Sequence, residues 1–183
     1  MGKQFASLTP DIKGFIERQK IFFVGTAAAE GRVNVSPKGM DTLRVLDDKR
    51  VVWLNLTGSG NETAAHLRQL PRMTILFCAF EGKPMILRLY GTAKIFHPRD
   101  TQFGELVGLF PAISGARQVV ELAIELVQTS CGFAVPLMDF KEERPTLAAW
   151  ADKQGTEGIE AYWSEKNTKS LDGLETGIFG EIT

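Results

Sequence analysis

The segment spanning residues 50–71 reads RVVWLNLTGSGNETAAHLRQLP. Its first part, Arg50 to Leu56, is rich in Val, Trp and Leu, which predicts a buried strand. Gly58-Ser59-Gly60-Asn61 then leads into a predicted helix over Glu62 to Leu70, and Pro71 ends that helix. The sequence therefore predicts a strand that passes through a glycine-containing loop directly into a helix.

Two interpretations of this loop remain open. The free N–H groups at a helix N-terminus carry partial positive charge and suit a phosphate, and glycines let the backbone approach such a ligand. Alternatively, Ser59 and Glu62 have the spacing of a capping box and would satisfy those N–H groups themselves. The loop matches neither common nucleotide-binding motif, because Thr63 stands where GxGxxG requires its third glycine and no G-K-[ST] follows.

Four further strand-like segments surround this unit. They are Ile21 to Ala28, Arg32 to Ser36, Arg72 to Phe80 and Met85 to Phe96. The last two are joined by Glu81-Gly82-Lys83-Pro84, which predicts a hairpin. We predict two helices between Pro98 and about Leu126, and a last strand over Thr129 to Val135. Consecutive strands joined by short turns favour an antiparallel barrel over a βαβ nucleotide-binding fold.

Helices are predicted towards both ends of the chain. Thr9-Pro10 supplies an N-cap followed by proline, and Ile12, Phe15 and Ile16 follow at helical spacing. The chain is polar and predicted to be helical from Pro145 onward. No repeat or linker divides the sequence, so we expect one α+β domain over residues 1–183 with a helical C-terminal extension from about residue 145.

Two basic residues are candidate contacts for an anion. In Val35-Ser36-Pro37-Lys38-Gly39, Lys38 lies at the end of a predicted strand. There it either pairs with a phosphate, worth roughly 1.5–3 kcal/mol as a charge-assisted hydrogen bond, or is solvated in an ordinary turn. Arg88 interrupts the apolar strand from Ile86 to Tyr90, so it either faces solvent or requires an anionic partner.

The composition argues against several classes of function. Of 183 residues, 44% are apolar and 23% are charged, and the net charge of -1 lacks the basic excess typical of nucleic-acid binding. No secretory signal and no membrane span are recognised, so we expect a cytoplasmic protein without a membrane partner. The cysteines Cys78 and Cys131 and the histidines His66 and His97 form no metal-binding motif, and no catalytic triad stands out.

Taken in their order, several segments resemble the pyridoxamine 5′-phosphate oxidase-related, FMN-binding split-barrel family. They are Arg32 to Gly39, Val51 to Thr63 with the helix that ends at Leu70-Pro71-Arg72, Met73 to Phe77, and Pro84 to Gly91. The resemblance covers the larger, N-terminal part of the chain. Its evidence is the order of the segments, since no single motif is diagnostic.

This resemblance implies a six-stranded antiparallel split β-barrel that forms a homodimer, with FMN bound at the subunit interface. In that family, the strand that ends in a lysine contacts the flavin, and the strand-to-helix loop holds the ribityl chain and the phosphate. With Arg88 added as a further cation, the expected cofactor-binding residues are Ser36, Pro37, Lys38, Gly39, Leu56, Thr57, Ser59, Asn61, Glu62, Thr63 and Arg88.

Two departures from the family pattern modify the expected function. Asn61-Glu62-Thr63 stands where the oxidase has basic residues, so Lys38, the helix N-terminus and Arg88 would neutralise the phosphate. Residues 173–183 lack the Trp-Arg-Leu-x-Pro ending that binds the oxidase's product. We therefore expect an FMN-dependent oxidoreductase that acts on a small molecule and is not a vitamin B6 oxidase.

Three alternatives remain open at this point. A protein of the same fold could bind or handle haem, with His66 or His97 as the iron ligand. It could instead be a non-catalytic flavin-binding module. A deazaflavin could also take the place of FMN.

Overall fold

The computed structural model describes residues 2–180. The strands are β1 (Lys3–Phe5), β2 (Phe22–Thr26), β3 (Asn34–Lys38), β4 (Leu43–Val45), β5 (Arg50–Leu56), β6 (Arg72–Cys78), β7 (Ile86–Phe96) and β8 (Ala116–Ser130). The helices are α1 (Pro10–Arg18), α2 (Glu62–Gln69), α3 (Phe103–Val107) and α4 (Thr146–Lys166).

The strands form one antiparallel sheet that curls into a split barrel. Their order is β3-β2-β6-β7-β8-β5-β4, and β1 also pairs with β8. The long strand β8 pairs with β7, β5 and β1, whereas β3 lies at one edge of the sheet. This confirms the predicted α+β split barrel. The described residues contain eight strands rather than six, because the three-residue strands β1 and β4 add to the longer ones.

Strand β5 is covered on both of its faces. Val51 and Trp53 belong to the main core inside the barrel, while Val52 and Leu54 pack with Phe110 in a second apolar cluster. A strand with two buried faces is apolar throughout rather than alternating. Its C-terminal end is therefore fixed by packing on both sides, and the loop that leads to α2 starts from a rigid position.

The helices predicted between Pro98 and Leu126 are largely wrong. Only α3 is helical there, and β8 begins at Ala116 and ends at Ser130, so the strand predicted over Thr129 to Val135 is also misplaced. Strand β8 is buried on both faces near its start. Its apolar residues consequently do not alternate, and their spacing resembles that of a helix.

The other predicted helices are present, but the helical region predicted from Pro145 onward ends at Lys166, and residues 167–180 are not helical. The hydroxyl group of Thr9 accepts a hydrogen bond from the N–H of Ile12 and caps α1. Helix α2 begins at Glu62, directly after the glycine-containing loop, and α4 begins just after Pro145. Among residues 2–180, none of the helices has the length and apolar character required to cross a bilayer.

Candidate functional site

A cavity of about 290 Å³ lies where the ends of β3 and β5 meet the starts of α2 and β8. We call it the cationic cavity. Its lining residues are Asn34, Ser36, Lys38, Asn55, Gly58, Ser59, Gly60, Asn61, Glu62, Thr63 and Arg117. Of the expected cofactor contacts, the structure therefore brings together Ser36, Lys38, Ser59, Asn61, Glu62 and Thr63.

The alternation of β3 orients two of these side chains towards the cavity. Ser36 and Lys38 pair with Val24 and Phe22 of β2, both of which are buried in the core. Successive side chains of a strand point to opposite faces, so Val35 and Pro37 lie on the outer face. Pro37 is tolerated because β3 is an edge strand and its missing N–H faces no further strand.

Lys38 is a partly buried cation. Its Nζ lies 5.0 Å from the centroid of the Trp53 ring, which allows a cation–π contact. Burial, together with repulsion from the Arg117 guanidinium, lowers the pKa of Lys38 from 10.5 to about 8. At neutral pH the ammonium is still mostly protonated, and a bound anion would hold it in that form.

Arg117 reaches the cavity because of a bulge in β8. Asn55 pairs with Gln118 and Leu56 pairs with Ala116, so Arg117 has no partner on β5. A bulge of this kind redirects a side chain, and such bulges are common beside active sites. Arg117 is only 2% exposed, and one terminal nitrogen donates hydrogen bonds to Asn167 Oδ1 at 2.6 Å and Gly60 O at 3.1 Å. Burial lowers its pKa to about 10, which leaves it charged at neutral pH.

The N-terminus of α2 is not closed by its own side chains. Asn61 occupies the N-cap position but makes no side-chain cap hydrogen bond. The alternative capping box is not formed, because both carboxylate oxygens of Glu62 instead accept from the N–H of Leu171 at 3.0 and 3.1 Å. The first N–H groups of α2 consequently have no side-chain cap and are available to a ligand.

Several buried polar atoms in and beside the cationic cavity lack a partner within the described part of the chain. They are Ser36 Oγ, Asn55 Oδ1, Asn61 Oδ1, Arg117 Nε and Gln118 Nε2. Each such atom costs about 1–3 kcal/mol when it stays unpaired. In residues 2–180, moreover, no carboxylate lies within ion-pair distance of Lys38 or Arg117. The cavity therefore suits an anion that also carries hydroxyl groups, which can donate to the two asparagine oxygens.

The remaining expected contacts lie outside the cationic cavity. The Thr57 hydroxyl donates to Gly115 O and accepts from the indole N–H of Trp163, both at 2.8 Å, while Leu56 packs in the second apolar cluster. Arg88 lies on the face of β7 opposite the buried Leu87 and Leu89, where it donates to Ser130 Oγ at 3.3 Å.

A second, larger opening adjoins the cationic cavity at Lys38. This apolar cleft has a volume of about 860 Å³ and includes Pro37, Lys38 and Gly39 on one side and Phe140 and Trp150 on the other. Lys38 lines both spaces. A ligand with a polar, anionic end and a planar apolar end could therefore extend from one space towards the other.

The two histidines do not lie on the protein surface. His66 is 1% exposed, and its Nδ1 is 3.1 Å from Thr26 Oγ1. His97 is also buried, and desolvation lowers its pKa to about 4. Neither residue lines the cationic cavity or the apolar cleft. Neither is therefore placed to ligate an iron bound in these two spaces.

Besides the loop glycines Gly58 and Gly60, three residues that line the cavity are absent from the expected contacts. Arg117 falls in a segment predicted to be helical, whereas Asn34 and Asn55 lie in the segments identified above but were not expected to contact the cofactor. Asn55 could have been found, because a polar residue at the end of an otherwise apolar strand and next to a glycine-containing loop is a typical ligand contact. The alternation in Arg32 to Ser36 also predicts that Asn34 and Ser36 share a face.

Together, the fold and the cavity define a split-barrel protein whose cationic cavity is a candidate binding site for a small anionic ligand. A family model described as pyridoxamine 5′-phosphate oxidase matches residues 8–131, and the chain belongs to this family. It is 36% identical over 188 residues to ustO of Aspergillus flavus, a pyridoxamine 5′-phosphate oxidase family protein, and the match covers 93% of this chain and 76% of that protein.

The fold is shared with solved structures of other proteins. A variant of the protein HupZ of Group A Streptococcus is 22% identical with a TM-score of 0.52, and the match covers 67% of this chain and 98% of that one. A pyridoxamine 5′-phosphate oxidase-related, FMN binding protein of Nostoc punctiforme is 14% identical with a TM-score of 0.51, and the match covers 68% and 85% of the two chains. At these identities the likeness concerns the fold.

Proposed function

We propose that this protein binds FMN and catalyses an oxidation–reduction reaction on a small molecule other than a B6 vitamer. The observation on which this rests is the cationic cavity, where two cations without a carboxylate partner in residues 2–180 lie among unpartnered polar atoms. Family membership and the fold relative described as FMN binding support the choice of ligand.

The residues present fit the phosphate and polyol part of FMN. Lys38 and Arg117 supply the positive charge that a phosphate of about −1.5 to −2 needs, and the N-terminus of α2 adds backbone N–H donors. Asn55 Oδ1 and Asn61 Oδ1 are acceptors for ribityl hydroxyl groups, and Ser36 can donate or accept. The basic loop residues of the oxidase are thus replaced by Arg117, which enters from β8.

A bound flavin itself supplies the electron-transfer chemistry. The protein needs to bind it, exclude water from part of it and admit a second reactant. The apolar cleft beside Lys38 is large enough to take a planar apolar group, and Trp150 and Phe140 provide its aromatic lining. Because the flavin would carry out the electron transfer, this function does not require a catalytic triad, and none is recognised in the sequence.

The direct test is the absorption spectrum of the purified protein, followed by titration of the apoprotein with FMN. We expect flavin bands and saturable uptake. Protein that takes up no added flavin would refute the proposal, and a Soret band after haem addition would favour a haem protein. Absorption bands of a deazaflavin would identify that compound, rather than FMN, as the cofactor. Tight FMN binding without turnover of NADH, NADPH or other electron donors would favour the non-catalytic module.

Lys38→Ala is expected to weaken FMN binding about tenfold, or 1.4 kcal/mol, because it removes one of two cations from the cavity. Riboflavin, which lacks the phosphate, serves as the reference ligand, and its affinity should fall clearly less than that of FMN, although Lys38 also lines the apolar cleft. Isothermal titration at fixed salt measures both affinities. Equal losses for FMN and riboflavin would show that Lys38 does not contact the phosphate.

The same residue predicts the pH dependence of binding. Only protonated Lys38 attracts the phosphate, and its pKa is about 8 in the free protein. The affinity is therefore highest between about pH 6 and pH 8, where the phosphate is dianionic and Lys38 is protonated, and it should fall about fivefold as the pH rises from about 7 to about 9. Lys38→Ala should remove this dependence.

The proposed assembly is a homodimer with the cofactor near the subunit interface. Pro37, Phe23, Leu76 and Arg88 are cross-strand neighbours that form one row on the outer face of the sheet. Next to this row, Val35 is 65% exposed on the edge strand β3. An exposed apolar edge is a typical site of association between copies.

Val35→Glu tests this assembly. We expect the wild type to sediment as a dimer and the variant as a monomer with at least about tenfold weaker FMN binding, because a buried unpaired charge would oppose association. Phe133→Glu is the matched control, since Phe133 is 82% exposed and lies outside the sheet. A wild-type monomer that binds FMN would contradict the dimer proposal and leave FMN binding intact.

A further inference from the structure

The C-terminal segment folds back onto the cationic cavity. This segment, Trp163–Thr176, lies beyond residues 8–131, which the family model matches. The Trp163 indole donates to Thr57 Oγ1, and the Leu171 N–H donates to the Glu62 carboxylate. Both contacts fix the loop that leads from β5 into α2.

Asn167 is the centre of this contact. It is fully buried, and each of its polar side-chain atoms is used. Its Oδ1 accepts from the Arg117 guanidinium at 2.6 Å, and its Nδ2 donates to Gly58 O at 3.0 Å. Its backbone oxygen accepts from Asn61 Nδ2 at 3.3 Å. One side chain thus joins the buried cation to the glycine-containing loop.

This inference rests on the proposed function: we propose that Asn167 is a positioning residue for the ligand's phosphate, and that the part of the segment from Trp163 to Leu171 belongs to the binding site. Asn167 is neutral, so it orients Arg117 without neutralising it, and the positive charge remains available to an anion. A carboxylate in its place would pair with Arg117 and compete with the ligand. Holding the cation and the loop in a fixed arrangement lowers the entropy loss on binding.

A matched pair of variants separates positioning from a general effect on stability. Asn167→Ala removes the contacts to Arg117 and Gly58. Thr176→Val removes a different buried hydrogen bond, from Thr176 Oγ1 to the Asn167 backbone oxygen at 2.6 Å, and leaves the Asn167 side chain in place. For each variant, the affinities for FMN and riboflavin are measured by titration, and the melting temperature is measured in parallel.

We expect Asn167→Ala to lower the ratio of FMN to riboflavin affinity about tenfold, and Thr176→Val to leave it within about twofold, whatever their melting temperatures. An unchanged ratio in Asn167→Ala would overturn the positioning role while FMN binding by the wild type stands. Wild-type protein that binds neither flavin would overturn the proposed function together with this inference.

A second measurement uses the wild type and does not depend on the folding of a variant. Lys166 and Lys169 are exposed, so trypsin can cleave the segment when it opens. Saturating FMN should slow this cleavage at least about fivefold relative to saturating riboflavin. The phosphate binds Arg117 and the glycine-containing loop in the positions that the closed segment gives them, so bound FMN favours the closed state. Equal cleavage with FMN and riboflavin would refute the coupling.

Discussion

Arg117→Met is expected to weaken FMN binding about 100-fold, which corresponds to about 2.7 kcal/mol. The guanidinium is 2% exposed, has no carboxylate partner in residues 2–180 and keeps an unpartnered Nε beside the cavity. A charge-assisted hydrogen bond to a phosphate in such a site contributes about 1.5–3 kcal/mol. The loss should exceed that of Lys38→Ala because Arg117 is more deeply buried.

The effect on stability should be much smaller than the effect on affinity. Methionine removes a buried, uncompensated charge, which favours the folded state, and loses two hydrogen bonds, which disfavours it. Arg117→Lys keeps the charge without the planar donor group and should lie between the wild type and the methionine variant. Unaltered FMN affinity in Arg117→Met, measured by titration with riboflavin as reference, would remove Arg117 from the site.

The sequence predicts the strand–loop–helix unit well because its signals are local. An apolar run, two glycines and a terminating proline lie within residues 50–71, and the structure has β5 and α2 at those places. The edge strand that ends at Lys38 is equally local, since alternation and Pro37 mark it. The cavity residues that lie in the strand–loop–helix unit and in β3 could therefore be predicted from the sequence.

The place of Arg117 in the cavity could not be predicted from the sequence, because it depends on irregular strand pairing. Two bulges interrupt the pairing of β8, one opposite Tyr90 and Gly91 and one opposite Asn55 and Leu56. Each bulge shifts the alternation of side chains by one residue, so neither a strand period nor a helix period describes the whole segment. The wrongly predicted helix is the consequence.

Asn167 illustrates a different limit. Its partners are 50 and 109 residues away along the chain, at Arg117 and Gly58. Nothing in the neighbouring sequence indicates that an asparagine at the end of a polar helix is fully buried. Only the tertiary fold, which returns the C-terminal segment to the loop, makes it a candidate site residue.

Gly91→Ala is expected to destabilise the protein by about 3 kcal/mol or more. A Cβ atom at this position would lie 1.9 Å from the carbonyl oxygen of Ala123 and 2.9 Å from its carbonyl carbon. Both are backbone atoms of β8, so no side-chain rotation can relieve the overlap. For a chain of this length, we expect a fall in melting temperature of about 6–12 °C by calorimetry.

Gly91 is required because β8 approaches β7 closely at the bulge that lies opposite Tyr90 and Gly91. Tyr90 pairs with Leu126 and Gly91 with Ile124, which leaves Glu125 as the extra residue. If the variant folds by straightening this bulge, the part of β8 that contains Arg117 will shift, and FMN affinity will fall together with stability. Gly104→Ala is the control, since its Cβ would meet nothing within 4 Å and alanine favours a helix by up to about 1 kcal/mol. Equal melting temperatures for the two variants would show that β7 and β8 can separate at Gly91 without loss of stability.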